Sequence, residues 1–263
     1  MKKYDVVIVG AGIAGMTAAI YLRRAEKSVL VLESGVIGGQ IVSALEVGNW
    51  PGEMRISGKE LMDKIYHQMN NLGAEIEYEE VLKIEKNTGV DRDFLERFLV
   101  KTDENKYSCG AIIIAVGTEP RKLSEKQVLS AGSRPISYCA TCDGALYKGK
   151  PVVVVGSGNT AKHEMRYLEN IASKVYHIHH DEPIPEEAEA VFAAIGRVPK
   201  TQFLNGLVEL DSCGYVKAEE DGRTSCSGVF VAGDCRTKKV RQLVTAAGDG
   251  ATVAETVNSF LDK

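Results

Sequence analysis

Positive charge is concentrated nowhere in this chain of 263 residues: 32 lysines and arginines stand against 36 aspartates and glutamates, for a formal net charge of −4, and no basic run or aromatic-basic stripe occurs. Nucleic acid and membrane surfaces are therefore poor candidates for main partners. Long apolar runs are also missing, and Met1-Lys2-Lys3-Tyr4 leads straight into an apolar segment with no room for a signal peptide. A cytoplasmic location is the expectation. A second close cysteine pair, which a four-ligand zinc site usually needs, is absent too. Cys139 and Cys142 form the only C-x-x-C, while Cys109, Cys213, Cys226 and Cys235 stand singly. A chain that is 44% hydrophobic has no need of disulfide staples, so reduced or catalytic thiols are expected.

What is present is a strand–turn–helix pattern, twice. Tyr4 to Val9 is a β-branched apolar run ending in Gly10-Ala11-Gly12-Ile13-Ala14-Gly15, after which apolar residues recur at helical spacing to Arg24. A second strand, Ser28 to Leu32, stops at Glu33, where a dinucleotide fold places its ribose-binding acid. Gly10 permits the turn, Gly12 lets the backbone approach a pyrophosphate, and Gly15 lets helix pack on strand, with the helix N-terminus facing the phosphates. An AMP-containing dinucleotide is expected here. A helix over Ile56 to Leu72 and strands over Ala74 to Ile84, Phe98 to Thr102 and Ala111 to Val116 follow.

The polar stretch from Ser137 to Gly144 holds the C-x-x-C, and Val152 to Val155 opens a second fingerprint, Gly156-Ser157-Gly158-Asn159-Thr160-Ala161, with a helix to about Ala172 and a strand from Lys174 to Ile178. Two such starts mean two cofactors, or a duplicated fold with one site decayed. Val152 to His180 makes one βαβ unit of roughly 30 residues. The acidic stretch after it, with Pro183 and Pro185, cannot hold another. The second domain is thus expected to be a stub. His177, His179 and His180 invite a metal reading, but no carboxylate or cysteine completes a spaced ligand set and no metal is expected.

Taken together, G-A-G-I-A-G, C-A-T-C-D-G and A-G-D-C with R-Q-L-V-T-A-A-G-D-G resemble the low-molecular-weight thioredoxin reductases over nearly the whole chain. The resemblance implies an α/β fold of two Rossmann-like three-layer domains, with an FAD domain (1–117 and 193–263) interrupted by a truncated pyridine-nucleotide-like domain (118–192) that carries the cysteines. It also implies a homodimer. By the same resemblance FAD lies against Gly10, Gly12, Ala14, Gly15, Glu33 and Ser34 at its ADP end, with Gly39, Gln40 and Asn49 towards the flavin. Val81, Ala115, Gly117, Gly233, Asp234, Arg241, Gln242 and Leu243 complete the implied site. The helix from Val244 to Leu261 would turn its N-terminus to the flavin ring, where its dipole favours negative charge. Cys142 would be the flavin-proximal sulfur, Cys139 the one that attacks a thioredoxin disulfide, and Asp143 the acid that protonates the departing thiolate.

One departure bears on the electron donor. NADPH-dependent members carry a His-Arg-Arg run and a further arginine after the strand of the second fingerprint, clamping the 2′-phosphate; here the residues are His177-Ile178-His179-His180-Asp181-Glu182. Neutral histidines followed by acids do not make an arginine fork. In this the chain resembles the ferredoxin-dependent flavin thioredoxin reductases, so ferredoxin is the expected donor, with Lys238, Lys239 and Arg241 as its expected docking patch. An NAD(P)H-dependent reductase and a small-molecule dithiol oxidase are the alternative enzymes, and a flavoprotein redox sensor the non-enzymatic one.

Overall fold

The computed structural model describes residues 1–44, 46–87, 94–179 and 181–262. In chain order the elements are β1 (Lys2–Val9), α1 (Ile13–Arg24), β2 (Val29–Leu32), α2 (Gly58–Asn71), β3 (Glu75–Glu77), β4 (Val81–Lys86), β5 (Phe98–Thr102) and β6 (Lys106–Ile114). There follow β7 (Thr118–Pro120), α3 (Glu125–Ala131), β8 (Ile136–Ser137), α4 (Ala140–Asp143), β9 (Pro151–Val155), α5 (Asn159–Leu168), β10 (Lys174–Ile178) and β11 (Ala190–Ala193). The last are β12 (Arg197–Pro199), β13 (Val229–Val231) and α6 (Leu243–Leu261). Two compact units result: residues 1–118 with 199–263, and residues 119–198. Where the chain passes between them, β7 and β12 pair with each other.

The larger unit is built on parallel strands in the order β3-β2-β1-β6, with β13 beside the C-terminal half of β6 and the antiparallel pair β5-β4 beside its N-terminal half. Val6 faces Val29 on one side and Ala111 on the other. These strands are covered on both faces, which is why they read as continuous apolar runs instead of alternating ones. One face packs Ile8, Val31 and Ile113 against Met16, Leu22 and Met62 of the helices; the other packs Val7, Leu30 and Ile112 with Phe98, Leu204 and Val216.

The strand expected over Ala74 to Ile84 is in fact two. Glu75–Glu77 extends the parallel set beside β2, and Val81–Lys86 turns to pair with β5. Glu79, in the break, accepts hydrogen bonds from the Thr102 and Tyr107 hydroxyls and the Asn105 amide. Burial alone would raise its pKa, but these bonds outweigh burial and hold it below the usual carboxylate range. A carboxylate with three donors pins the chain where β3 gives way to β4.

In the smaller unit four parallel strands run β10-β9-β11-β8. Val153, Val155 and Val191 pack towards α3; Val152, Val154 and Phe192 pack towards α4 and α5. Helix α5 ends at Leu168, short of the expected Ala172, where the Asn170 side chain takes the Arg166 carbonyl and stops the ladder. The boundary expected between residues 192 and 193 would cut β11; the unit runs on to Val198. No helix among the described residues is long and apolar enough to cross a membrane.

Candidate functional site

In the larger unit the residues singled out by sequence follow the C-terminal ends of adjacent parallel strands, where open α/β sheets bind ligands. Gly10 follows β1, Glu33 follows β2, Ala115 and Gly117 follow β6, and Gly233 and Asp234 follow β13. The Gly10 N–H donates to Leu32 O at 2.8 Å and the Ala115 N–H to Val9 O at 2.8 Å, which locks the strand ends together. Glu33 is a clasp: Oε2 accepts the Ala11 N–H at 2.7 Å and Oε1 the Gly35 N–H at 2.8 Å. Gly12 is the N-cap of α1 with no side-chain cap, and nothing stands within 4 Å of where its Cβ would be. The Gly38 N–H reaches Ala11 O at 2.8 Å, bringing Gly39 and Gln40 to the same turn. Ser34 is exposed beside the clasp, and Ala14 lies so near Gly233 that a Cβ there would come within 2.9 Å of the Ala14 methyl. Asn49 donates to Gln242 at 3.1 Å, and Gln242 caps the N-terminus of α6 in a reciprocal box with Thr245, next to Leu243. The Val81 side chain is a core residue, packed among Leu30, Leu32 and Ile114.

Behind Gly233 lies an ion cluster. Asp249 on α6 accepts from Arg236 Nε at 2.9 Å and Nη2 at 2.8 Å, from Lys238 Nζ at 2.9 Å and from the Gly233 N–H at 3.0 Å. Burial pushes the Asp249 pKa up, but the hydrogen bonds from Arg236 and Lys238 outweigh it and leave the group below its ordinary value. The expected docking patch is therefore corrected: Lys238 is committed to a buried pair, its side chain only 7% exposed, and Arg241 lies over the Tyr215 ring at 4.3 Å while donating to the Asp234 and Arg236 carbonyls. Of the three cations, Lys239 alone is exposed.

In the smaller unit Cys139 and Cys142 form a disulfide with Cα atoms 5.3 Å apart, both half-buried, Cys139 standing at the N-cap of α4. Ser137, at the end of β8, ties this turn together: its hydroxyl reaches Asp143 Oδ2 at 2.6 Å and accepts the Cys139 N–H at 3.1 Å. Cys109 and Cys235 are buried free thiols, and burial raises both pKa values, that of Cys235 to about 12. They stay neutral and do not compete as nucleophiles. The second glycine turn borders a cleft of about 260 Å3 lined by Gly156, Ser157, Gly158, Thr160, Ala194, Ile195 and Gly196. Past the end of β10 the polar groups are turned on one another. His179 Nδ1 meets the Ser157 hydroxyl at 2.9 Å, the His179 N–H donates to Glu182 Oε2 at 3.1 Å, and His177 Nε2 meets Gly156 O at 2.7 Å. His180 lies outside the described residues, among which no group of three metal-ligating side chains occurs.

Comparison with known proteins decides the family. The sequence matches the pyridine nucleotide-disulphide oxidoreductase profile over residues 4–187 and 181–250. The chain belongs to that family. It is 34% identical to a thioredoxin reductase of Bacillus subtilis, in an alignment of 310 positions that covers 100% of this chain and 96% of that one. That length against 263 residues leaves segments of the relative without a counterpart here. Its fold is that of the solved thioredoxin reductase from Streptococcus pyogenes, at 32% identity and a TM-score of 0.88 over 98% of each chain. A ferredoxin-flavin thioredoxin reductase from Clostridium acetobutylicum is also similar, at 28% identity and a TM-score of 0.62, covering 100% of this chain and 98% of that one.

Sequence reading of this family member missed two polar residues beside the disulfide. Ser137 opens the polar stretch that leads to C-A-T-C-D-G, but its role shows only through its bond to Asp143. Glu164 is the other. It sits on the buried stripe of α5 between Ala161 and Leu168, 8% exposed, on the face that packs with Ala140 of α4. A glutamate in the middle of an apolar stripe is the signal that marks it in sequence.

Proposed function

We propose that the protein is an FAD-dependent reductase that passes electrons through the Cys139–Cys142 pair to the disulfide of a thioredoxin-like protein, with reduced ferredoxin in place of NADPH as donor. A homodimer and a cytoplasmic setting belong to the same reading. The observation that carries it is the disulfide at a helix start with an acid held beside it: Cys139 at the N-cap of α4, Cys142 one turn on, and Asp143 fixed by Ser137.

The larger unit fits FAD. The bare N-terminus of α1 and the open space at Gly12 suit a pyrophosphate, and each Glu33 oxygen, with one amide bond made, keeps a lone pair for a ribose hydroxyl. Bound there, FAD supplies two-electron exchange with a disulfide. The protein's own residues do the rest. Cys142 accepts the electrons, Cys139 as thiolate attacks the partner's disulfide, and Asp143 gives a proton to the sulfur that departs. The Ser137 hydroxyl keeps Asp143 on the disulfide turn throughout.

The donor assignment rests on the end of β10. A 2′-phosphate clamp needs cations there, and Glu182 places a carboxylate on the His179 amide instead. An iron–sulfur donor near about −400 mV reduces a thioredoxin near about −270 mV with roughly 6 kcal/mol in hand for two electrons. One observation favours a second reading, reduction by NAD(P)H: the cleft at Gly156 to Thr160 survives. Steady-state release of thiols from oxidised thioredoxin separates the two. Turnover with a ferredoxin-reducing system and none with NADPH or NADH supports the first, and turnover with either nucleotide at a comparable rate supports the second.

A further inference from the structure

Helix α5 carries one residue that breaks its own pattern. Ala161, Glu164 and Leu168 share the face turned to Val152, Val154, Ala190 and Phe192, and Glu164 is buried among them. Its Oε2 atom has no hydrogen-bond partner among the described residues. The same face of α5 packs against Ala140, which stands between the two cysteines. A buried polar atom left unmatched is costly to folding, so retaining one on the face that packs against a redox disulfide turn calls for a purpose.

We propose that Glu164 is a positioning residue that holds a proton for the dithiol, binding one when the Cys139–Cys142 bond is reduced and releasing it when the bond re-forms. This rests on the redox role proposed above for the pair. Two electrons from the flavin, or from any dithiol, break the S–S bond; one sulfur leaves as a thiol and the other as a thiolate. The new negative charge lies on the turn that packs against the buried face of α5. Two like charges in one poorly solvated place raise each other's proton affinity, so the Glu164 carboxylate takes a proton from solvent. When a substrate disulfide accepts the electrons, that proton leaves again and the carboxylate is ionised once more.

The surroundings leave few rivals for this role. From β12 the Arg197 guanidinium acts on Glu164 and opposes protonation, as does the Ala140 amide, yet burial outweighs both and raises its pKa. The strands β9 and β11 present only apolar side chains to it. On α4 the Asp143 carboxylate is bound by Ser137, and the Tyr147 phenol, whose pKa burial and then Asp143 raise, stays neutral. Lys162, His163 and Arg166 of α5 itself are exposed on its outer side.

Infrared difference spectra of the purified protein, oxidised against dithiothreitol-reduced, test this together with a thiol count. The proposal expects a carboxylic-acid carbonyl band to appear on reduction, to vanish in Glu164→Gln and to move in frequency in Glu164→Asp. In redox titrations against dithiothreitol, which releases two protons as it is oxidised, the constant for disulfide reduction should stay level with pH in the wild type, which takes both up, and rise about tenfold per pH unit in Glu164→Gln, which takes up one, a difference of about 30 mV per pH unit for a two-electron couple. If Glu164→Gln does not fold, the frequency of the acid band in Glu164→Asp decides: a band that moves supports the assignment to this residue, and one that stays in place overturns it. A reduced wild type with two new thiols and no acid band overturns the proposal and leaves the reductase reading standing. Failure of the two thiols to form at all overturns both.

Discussion

The two glycine turns of this chain are nearly the same object in different settings. Gly10 has φ +105° and a Cβ there would stand 2.5 Å from Ala115 O; Gly156 has φ +145° and a Cβ there would stand 2.4 Å from Ala194 O. Each is followed by a glycine N-cap, Gly12 or Gly158, with nothing within 4 Å. The settings differ at the next strand end. In the larger unit Glu33 clasps Ala11 and Gly35, keeping the turn open to a ligand. In the smaller one His177 and His179 are engaged with Gly156 and Ser157, and Glu182 sits on the His179 amide. A glycine fingerprint therefore specifies a backbone turn, and the strand end beside it specifies what the turn can hold.

Substitutions can be ordered by how hard they strike this contrast. Cys142→Ser or Cys139→Ser should lower disulfide turnover by more than about a thousandfold, since no other cysteine forms a C-x-x-C; thiol release from a protein disulfide measures it, and flavin content should be unchanged. Asp143→Asn should cost about a hundredfold in the same assay, the usual worth of a positioned general acid. Both changes act on the smaller unit without touching its glycine turn.

Gly10→Ala and Gly156→Ala inflict the same local insult, a Cβ against a backbone carbonyl at a positive φ, for at least about 1–3 kcal/mol of strain each. Urea unfolding should show a loss in both, while bound FAD, assayed after denaturing release, should fall in Gly10→Ala alone. Equal loss of flavin from both would break the comparison. Asp249→Asn removes the carboxylate from two buried cations and should destabilise by about 3 kcal/mol. Because the folded pKa of Asp249 is depressed, its contribution is present above the ordinary aspartate value of about 4 and is lost as pH falls through the lower folded value. Wild type and Asp249→Asn should therefore converge in stability at acid pH. The smallest effect expected is a gain: His179→Arg with Glu182→Arg should tighten NADPH binding roughly tenfold, read by calorimetry, by restoring cations to the end of β10.

Much of this was legible in sequence because the period of the apolar residues and the glycine spacing report local geometry. The strands around Gly10 and the acid at Glu33 follow from such local rules, whereas the strand order, with β13 beside β6, rests on pairings between distant segments. The break between β3 and β4 was not legible, since Glu79 is pinned by Thr102, Asn105 and Tyr107, which lie more than twenty residues away. For the same reason Lys238 read as a surface cation: its partner Asp249 comes from the next helix. Ser137 and Glu164 belong to this class too, their meaning fixed by contacts that only the folded turn creates.

On the reading proposed above, the larger unit holds FAD and the smaller takes no second dinucleotide. Anaerobic mixing of the purified yellow protein with NADPH, with NADH and with reduced ferredoxin, followed at the oxidised-flavin absorbance, tests it most directly. Bleaching by ferredoxin alone, with thioredoxin reduced afterwards, is the predicted result; rapid bleaching by NADPH would show that the turn at Gly156 still binds a nucleotide and would contradict it.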